Sequence, residues 1–279
     1  MNIGIDLGGT NIRLGVIENA SILKKECISC PSYENDEEVL SQLKTLIKNN
    51  INKEIKGIGI GVPSVVDVKK GIVYNVTNIP SWKEIHLKDE LESSFSIPVF
   101  INNDSNCFAL GENLFGKGIN FQNIVGVTIG TGLGAGIIIH KKLYAGRNAG
   151  AGEIGSLPYL KYDFEHYCSS HFFKMYYEMT AQEAAQKATL GETGIQTVWN
   201  EFGHHIGEMI KAILYTYDPD VIIIGGGISS AFNLFEQSMW KCMQSFPYKE
   251  TLKNIRILIS ENKDIALLGA SALVNNNLL

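Results

Sequence analysis

A chain of 279 residues with 45% hydrophobic and 19% charged residues has room for two ordinary domains and the composition of a folded globular protein, not a disordered one. A net charge of −5 leaves no broad basic surface for nucleic acid, and no apolar run is long enough to span a bilayer. The first residues enter a strand pattern at once, with neither a basic n-region nor an apolar signal segment, so a cytoplasmic protein is expected.

The chain opens on NIGIDLGGTNIRLGVI, a strand, a glycine turn and a returning strand, followed by a third strand at 22–28. Glycine at such a turn lets a phosphate approach bare backbone N–H groups, so Gly8, Gly9 and Thr10 are candidate phosphate binders. Asp6, at the end of the first strand, either holds Mg²⁺ through water or caps the turn by bonding to Gly8 or Gly9. Cys27 and Cys30 form a C-x-x-C pair, but the pair ends a strand before Pro31, and no second pair exists to complete a zinc site. It reads as structurally incidental, and five cysteines make no disulfide framework at this length.

Apolar residues at helical spacing predict a helix over 34–48, and 56–62 reads as a buried strand that ends in the loop Gly61-Val62-Pro63-Ser64. A helix at 87–94 and a strand at 98–101 lead to Asn102-Asn103-Asp104-Ser105-Asn106, with a helix predicted over 104–115. Asp104 is the natural N-cap of that helix. The polar run exceeds what one cap needs, however, and the carboxyl end of a strand is where α/β proteins place ligands. An Asp there can accept the proton of an attacking hydroxyl.

At an offset of 122 residues the opening pattern recurs as IVGVTIGTGLGAGIII, where Gly130 matches Gly8 and Thr128 replaces Asp6. Two copies suggest two α/β lobes with mixed sheets, gripping opposite parts of one polyphosphate. Glu153, in the glycine-rich 150–155 stretch, is either a helix-start acid or a hydroxyl acceptor for a sugar. Glu165 lies in a mixed polar and aromatic stretch and opens a helical region. The longest helix is predicted over 193–217, a strand over 220–224, and Gly225-Gly226-Gly227 opens the next helix as a nucleotide-side turn. A strand at 255–259 and a helix at 265–274 close the pattern.

DLGGTNIRLGVI, GIGVPSVVD, NNDSNCFALGE, TIGTGLGAGIII, AGEIGS, VIIIGGGIS and ALLGAS, in this order, resemble the ROK family (repressor, open reading frame, kinase) over essentially the whole chain. The resemblance implies an actin-like, ribonuclease H-like ATPase fold, with two lobes around a central cleft. It implies ATP- and Mg²⁺-dependent phosphorylation of a hexose or N-acetylhexosamine, glucokinase-like, and commonly a homodimer. By motif, Asp104 matches the catalytic base. Asn103, Glu153, Glu165, Ser64 and Ser156 fall at sugar-side positions. Gly8 to Thr10, Thr131 and Gly132 match the phosphate turns, and Gly225, Gly226 and Gly227 the adenosine turn. The lobes are expected over 1–116, carrying sugar and phosphate with the last helix, 264–279, packed back on it, and over 117–263, binding nucleotide and forming the dimer.

Three departures stand out. The E-I-G-H segment reads Glu153-Ile154-Gly155-Ser156, the C-x-C-G-x-x-G-C cluster before Glu165 is missing, and the sugar-side P-G is Pro63-Ser64. The first two predict a protein without the family's structural zinc, and all three leave the sugar open. The same family contains catalytically idle sugar binders and sugar-responsive repressors. The repressors carry a DNA-binding domain ahead of the first strand, which here begins at Asn2, and an acidic chain partnering small sugars rather than DNA is expected.

Overall fold

The computed structural model describes residues 1–76, 78–147 and 150–275, and is an α/β protein of two compact units. One comprises Met1–Asn120, Gly136–Ala151 and Asn262–Leu279; the other comprises Phe121–Ala135 and Gly152–Glu261. The predicted last helix reached 279, and positions 276–279 lie outside the described residues.

In chain order the first unit builds β1 (Asn2–Leu7), β2 (Asn11–Glu18), β3 (Ser21–Ser29), α1 (Asp36–Lys48) and β4 (Ile58–Val62). A small antiparallel sheet follows, β5 (Val65–Asp67), β6 (Ile72–Tyr74) and β7 (Glu84–Ile85), then α2 (Leu87–Phe95), β8 (Val99–Asn103) and α3 (Asp104–Phe115). Next come β9 (Ile124–Ile129), β10 (Leu133–Ile139), β11 (Lys142–Leu143), β12 (Pro158–Tyr159), β13 (Tyr162–Asp163), α4 (Phe164–Cys168), α5 (Ser170–Tyr177), α6 (Ala181–Thr189) and α7 (Ile195–Tyr217). The chain continues through β14 (Val221–Gly225), α8 (Phe232–Met243), α9 (Lys249–Asn254), β15 (Arg256–Ile259) and α10 (Ile265–Ala272).

The internal repeat is visible in the topology. The first large sheet has strand order β3-β2-β1-β4-β8 and the second β11-β10-β9-β14-β15. In each, an antiparallel hairpin gives way to parallel strands, as β1 pairs β2 antiparallel and β4 parallel. Ile3, Ile5, Leu7, Ile58, Ile60 and Val62 are fully buried, which is what near-continuous apolar strands covered on both faces require.

Boundaries move where side chains compete for backbone groups. The helix expected from residue 34 begins at Asp36, because the Asn35 side chain accepts from Glu38 N–H and caps it. The strand expected to stop at 101 runs through Asn103, as Asn102 and Asn103 continue the parallel ladder opposite Gly61 and Val62. The helical region from Glu165 is three helices, broken at Ser169, which is extended, and at Glu178, which is left-handed. Gly225 to Gly227 do not open a helix directly: Gly226 takes φ +87° and a 3₁₀ turn, Gly227–Ala231, precedes α8.

α10 packs on α3 and β1 within the first unit, through glycines on both sides of the contact. No helix among the described residues is long and apolar enough to cross a membrane.

Candidate active site

The first unit carries Asp6, Gly8 to Thr10, Ser64, Asn103 and Asp104. Gly8 N–H donates to the Asn11 carbonyl at 2.9 Å, closing the turn between β1 and β2. Gly9 has no room for a side chain, since a Cβ there would lie 2.3 Å from Asn78 Cβ. Asp6 neither caps the turn through Gly8 nor through Gly9 among the described contacts. Its Oδ2 accepts from Arg13 Nε at 3.0 Å and also from Arg13 Nη2, its direct cross-strand neighbour. Motif reading passed over Arg13 as the partner of Asp6; the signal was its place opposite Asp6 in a two-strand register. Both bonds go to one oxygen, so Oδ1 keeps its acceptor capacity. That donor set fits Mg²⁺, which takes few carboxylates and keeps its waters.

The α3 N-terminus settles which residue caps. Asn103 Oδ1 accepts from Ser105 N–H at 2.9 Å and Asn106 N–H at 3.3 Å, so Asn103 is the N-cap and Asp104 is the first helical residue. Expecting the cap at Asp104 was therefore wrong by one position. The remaining polar excess has a structural cause: buried Asn102 Oδ1 accepts from Asn103 N–H and from Asn106 Nδ2, both at 2.9 Å. Asn103 Nδ2 donates to the Ser64 carbonyl at 3.3 Å, and the Ser64 hydroxyl donates to the Tyr74 carbonyl. Ser64 thus joins its loop to the helix start, with its hydroxyl already engaged.

Gly61 allows this packing, because a Cβ there would lie 3.1 Å from Cys107 Sγ and 3.3 Å from Asp104 Cα. Burial raises the Cys107 thiol well above its ordinary range, and the charges of Asp104 and then Asp6 raise it further. Both carboxylates thus add to the effect of burial on this one thiol.

The second unit collects the rest. Ser170 N–H donates to Gly130 O at 2.9 Å, the Ser170 hydroxyl to Thr131 O at 3.0 Å, and Leu133 N–H to Glu165 Oε2 at 2.9 Å. The 165–170 segment thus clamps the second glycine turn. Gly132 leaves room for that carboxylate, since a Cβ there would lie 2.6 Å from Glu165 Oε2 and push it aside. Glu153 stands at the start of the 3₁₀ turn Ile154–Ser156 without a side-chain cap bond; burial and then the nearby Glu165 charge raise its pKa. Two carboxylates that feel each other's charge suit a ligand rich in hydroxyl donors. Ser156 is exposed beside them, and Gly155 approaches Leu133 O so closely that a Cβ would be 2.4 Å away. Gly226 abuts Ile129, and Gly227 N lies 3.9 Å from the Cβ position of Gly130, so the third glycine turn lies against the second.

A ROK family model matches residues 2–277. The chain belongs to the ROK family. It is 26% identical over 309 residues to a glucokinase of Thermotoga maritima, covering 99% of this chain and 98% of that protein. It is 27% identical over 315 residues to a xylose repressor of Caldicellulosiruptor bescii, covering 99% of this chain and 78% of the repressor. A crystal structure of a ROK family glucokinase from Streptomyces griseus superposes with a TM-score of 0.84 at 24% identity, covering 99% of each chain, and identifies the actin-like ATPase fold.

The expectation that the family's structural zinc is missing bears on the 156–171 loop. Cys168 is buried with its thiol raised by burial, and His166 Nδ1 bonds Asp163 Oδ1 at 2.6 Å. Among the described residues these groups form no set of three metal donors. Aromatic packing occupies the region instead: Tyr159 stacks on Phe164 at 4.5 Å, and Phe164, Tyr167, Phe172 and Phe173 are all buried. Protein purified without added zinc should accordingly lack zinc at this loop. Stoichiometric zinc surviving substitution of every donor outside 156–171 would overturn that expectation.

Proposed function

We propose that this chain is an ATP- and Mg²⁺-dependent kinase that phosphorylates a hydroxyl of a hexose or N-acetylhexosamine, glucokinase-like in its preference. The observation that carries the reading is Asp104: it stands just beyond the end of β8, in the first turn of α3, and is relieved of capping by Asn103. The glucokinase of Thermotoga maritima, matched over nearly its full length, supports the same reaction.

In this reading Asp104 accepts the proton of the attacking sugar hydroxyl. Backbone N–H groups of the turns at 8–10 and 130–132 stabilise charge on the transferring phosphoryl group, and the 225–227 turn carries the adenosine side. When bound, Mg²⁺ would be held through water by Asp6 and would neutralise phosphate charge. Asn103, Glu153, Glu165 and the Ser64 and Ser156 loops orient the sugar, and exclusion of water removes a competing acceptor. A cytoplasmic homodimer belongs to the same reading, and sedimentation of the purified chain tests the dimer.

An ATP-coupled assay across hexoses, N-acetylhexosamines and ketohexoses is the direct test, with sugar-dependent ADP release expected. Sugar binding without ADP release across the panel would replace this reading with a binding protein or a regulator such as the xylose repressor relatives.

Glu153→Gln and Glu165→Gln should both weaken sugar binding, since each exchanges a charged acceptor for a weaker neutral one. Glu153→Gln is expected to do more damage. Glu165 also anchors Leu133 N–H, an acceptor role that the Gln carbonyl retains. Sugar titration showing wild-type affinity in either variant removes that residue from the sugar site.

A further inference from the structure

Away from the residues discussed so far, α7 and α8 bring three metal donors of different chemistry together. His204 and Glu208 are four residues apart on α7 and share one face. Cys242 reaches them from α8, and the approach of that helix depends on two glycines. A Cβ on Gly207 would lie 2.6 Å from Cys242 Cβ, and one on Gly203 would lie 2.4 Å from the Phe235 carbonyl. With both side chains missing, Cys242 Sγ lies 3.3 Å from Glu208 Oε1, and His204 Nε2 lies 3.9 Å from the same oxygen. One donor atom from each residue lies within 4.8 Å of the others. Two ligands of a tetrahedral ion, at the usual metal–ligand distances, are about 3.3–3.8 Å apart. Two of the three spacings are thus already near that range, and His204, with 57% of its side chain exposed, has freedom to rotate and close the third.

We propose that His204, Glu208 and Cys242 form a binding site for a divalent cation of the zinc class, with water completing the tetrahedron. The imidazole, carboxylate and thiolate donors select a borderline-soft ion over Mg²⁺, which prefers an all-oxygen shell. Two features make the site exchangeable rather than permanent. Lys211 Nζ lies 2.9 Å from Glu208 Oε1 and holds the cationic place, but it also bonds Ser245 Oγ at 2.8 Å and keeps that partner when displaced. Burial, and then Glu208, push the Cys242 pKa up to about 11, so an arriving ion has to displace the thiol proton. The site involves none of the residues assigned to sugar or nucleotide and does not depend on the kinase reading.

The test is titration of the chelator-stripped full chain with Co²⁺, followed by Zn²⁺, at mildly alkaline pH. A single equivalent of Co²⁺ should raise a thiolate-to-cobalt charge-transfer band that Zn²⁺ then removes. Cys242→Ser should abolish the band, and His204→Ala, at a largely exposed position, should weaken binding at least ~10-fold. Lys211→Met should tighten it by removing the competing ammonium. No band in the wild-type protein, or a band of equal affinity in His204→Ala, overturns the site. Zinc retained in Cys242→Ser would belong to other donors and overturns it equally.

Discussion

Asp104→Asn should lower turnover at least ~100-fold, the lower range for loss of a general base, while ATP affinity changes little. The substitution is nearly isosteric, and the structure shows why α3 should survive it. Capping belongs to Asn103, whose Oδ1 accepts from two N–H groups at the helix start. The Asp104 Oδ1 contact with Ser105 N–H, 2.8 Å long, can be kept by the Asn carbonyl. What the variant loses is the ability to take up a proton. Steady-state assays with the best sugar of the panel, alongside nucleotide titration, separate the two effects. Turnover near wild type would remove Asp104 from the mechanism and leave it a first-turn acid favoured by the helix dipole. An Asn103→Ala variant provides the contrast, since it removes the cap and should cost about 1 kcal/mol of stability.

The strands and long helices were legible because periodicity reports burial. Ile3, Ile5 and Leu7 alternate with Gly4 and Asp6, and the 122-residue offset between the hairpins anticipated two sheets of identical strand order. The α7 span also followed from its apolar face. The small sheet β5 to β7 and the β12–β13 hairpin were not legible, because two or three residues carry no measurable period. Site residues followed the same division. Motifs singled out Asp104, Glu153 and Glu165 as candidates, but not the contacts around them. Arg13 and Asp6 are seven positions apart and meet only through strand register. The clamp of Glu165 and Ser170 on the turn at 130–132 joins segments more than thirty residues apart. Gly203 and Gly207 read as gaps in an apolar stripe, although their role is to admit Phe235 and Cys242. Close backbone approach leaves no compositional signal beyond a glycine, and 28 glycines give no means of choosing among them.

Gly269→Ala should destabilise the first unit by about 1–3 kcal/mol, the usual cost of overpacking, and should do so against its intrinsic helix propensity. In a solvated helix interior, Gly→Ala gains about 0.5–1 kcal/mol. Gly269 is within α10, so propensity alone predicts a more stable protein. The contact reverses the sign. A Cβ on Gly269 would lie 1.8 Å from the Cys107 carbonyl oxygen and 2.7 Å from Gly111 N, and a Cβ on Gly111 would lie 2.1 Å from the Ile265 carbonyl. These obstacles are backbone atoms, so no side-chain rotation relieves them and the two helices would have to separate. Separation would disturb the site as well as the core. Cys107 is one turn beyond Asp104 on α3, and Gly59 on β4 meets Ala270 of the same α10, with a Cβ position only 1.7 Å from its carbonyl oxygen. Displacing α10 therefore shifts the frame that aims Asp104, and turnover should fall together with stability, while nucleotide affinity falls less. Urea denaturation of the wild type and Gly269→Ala, followed by kinetics of the folded fraction, measures both. A midpoint that rises would mean that helix propensity wins and that α10 does not seat α3 in the way argued.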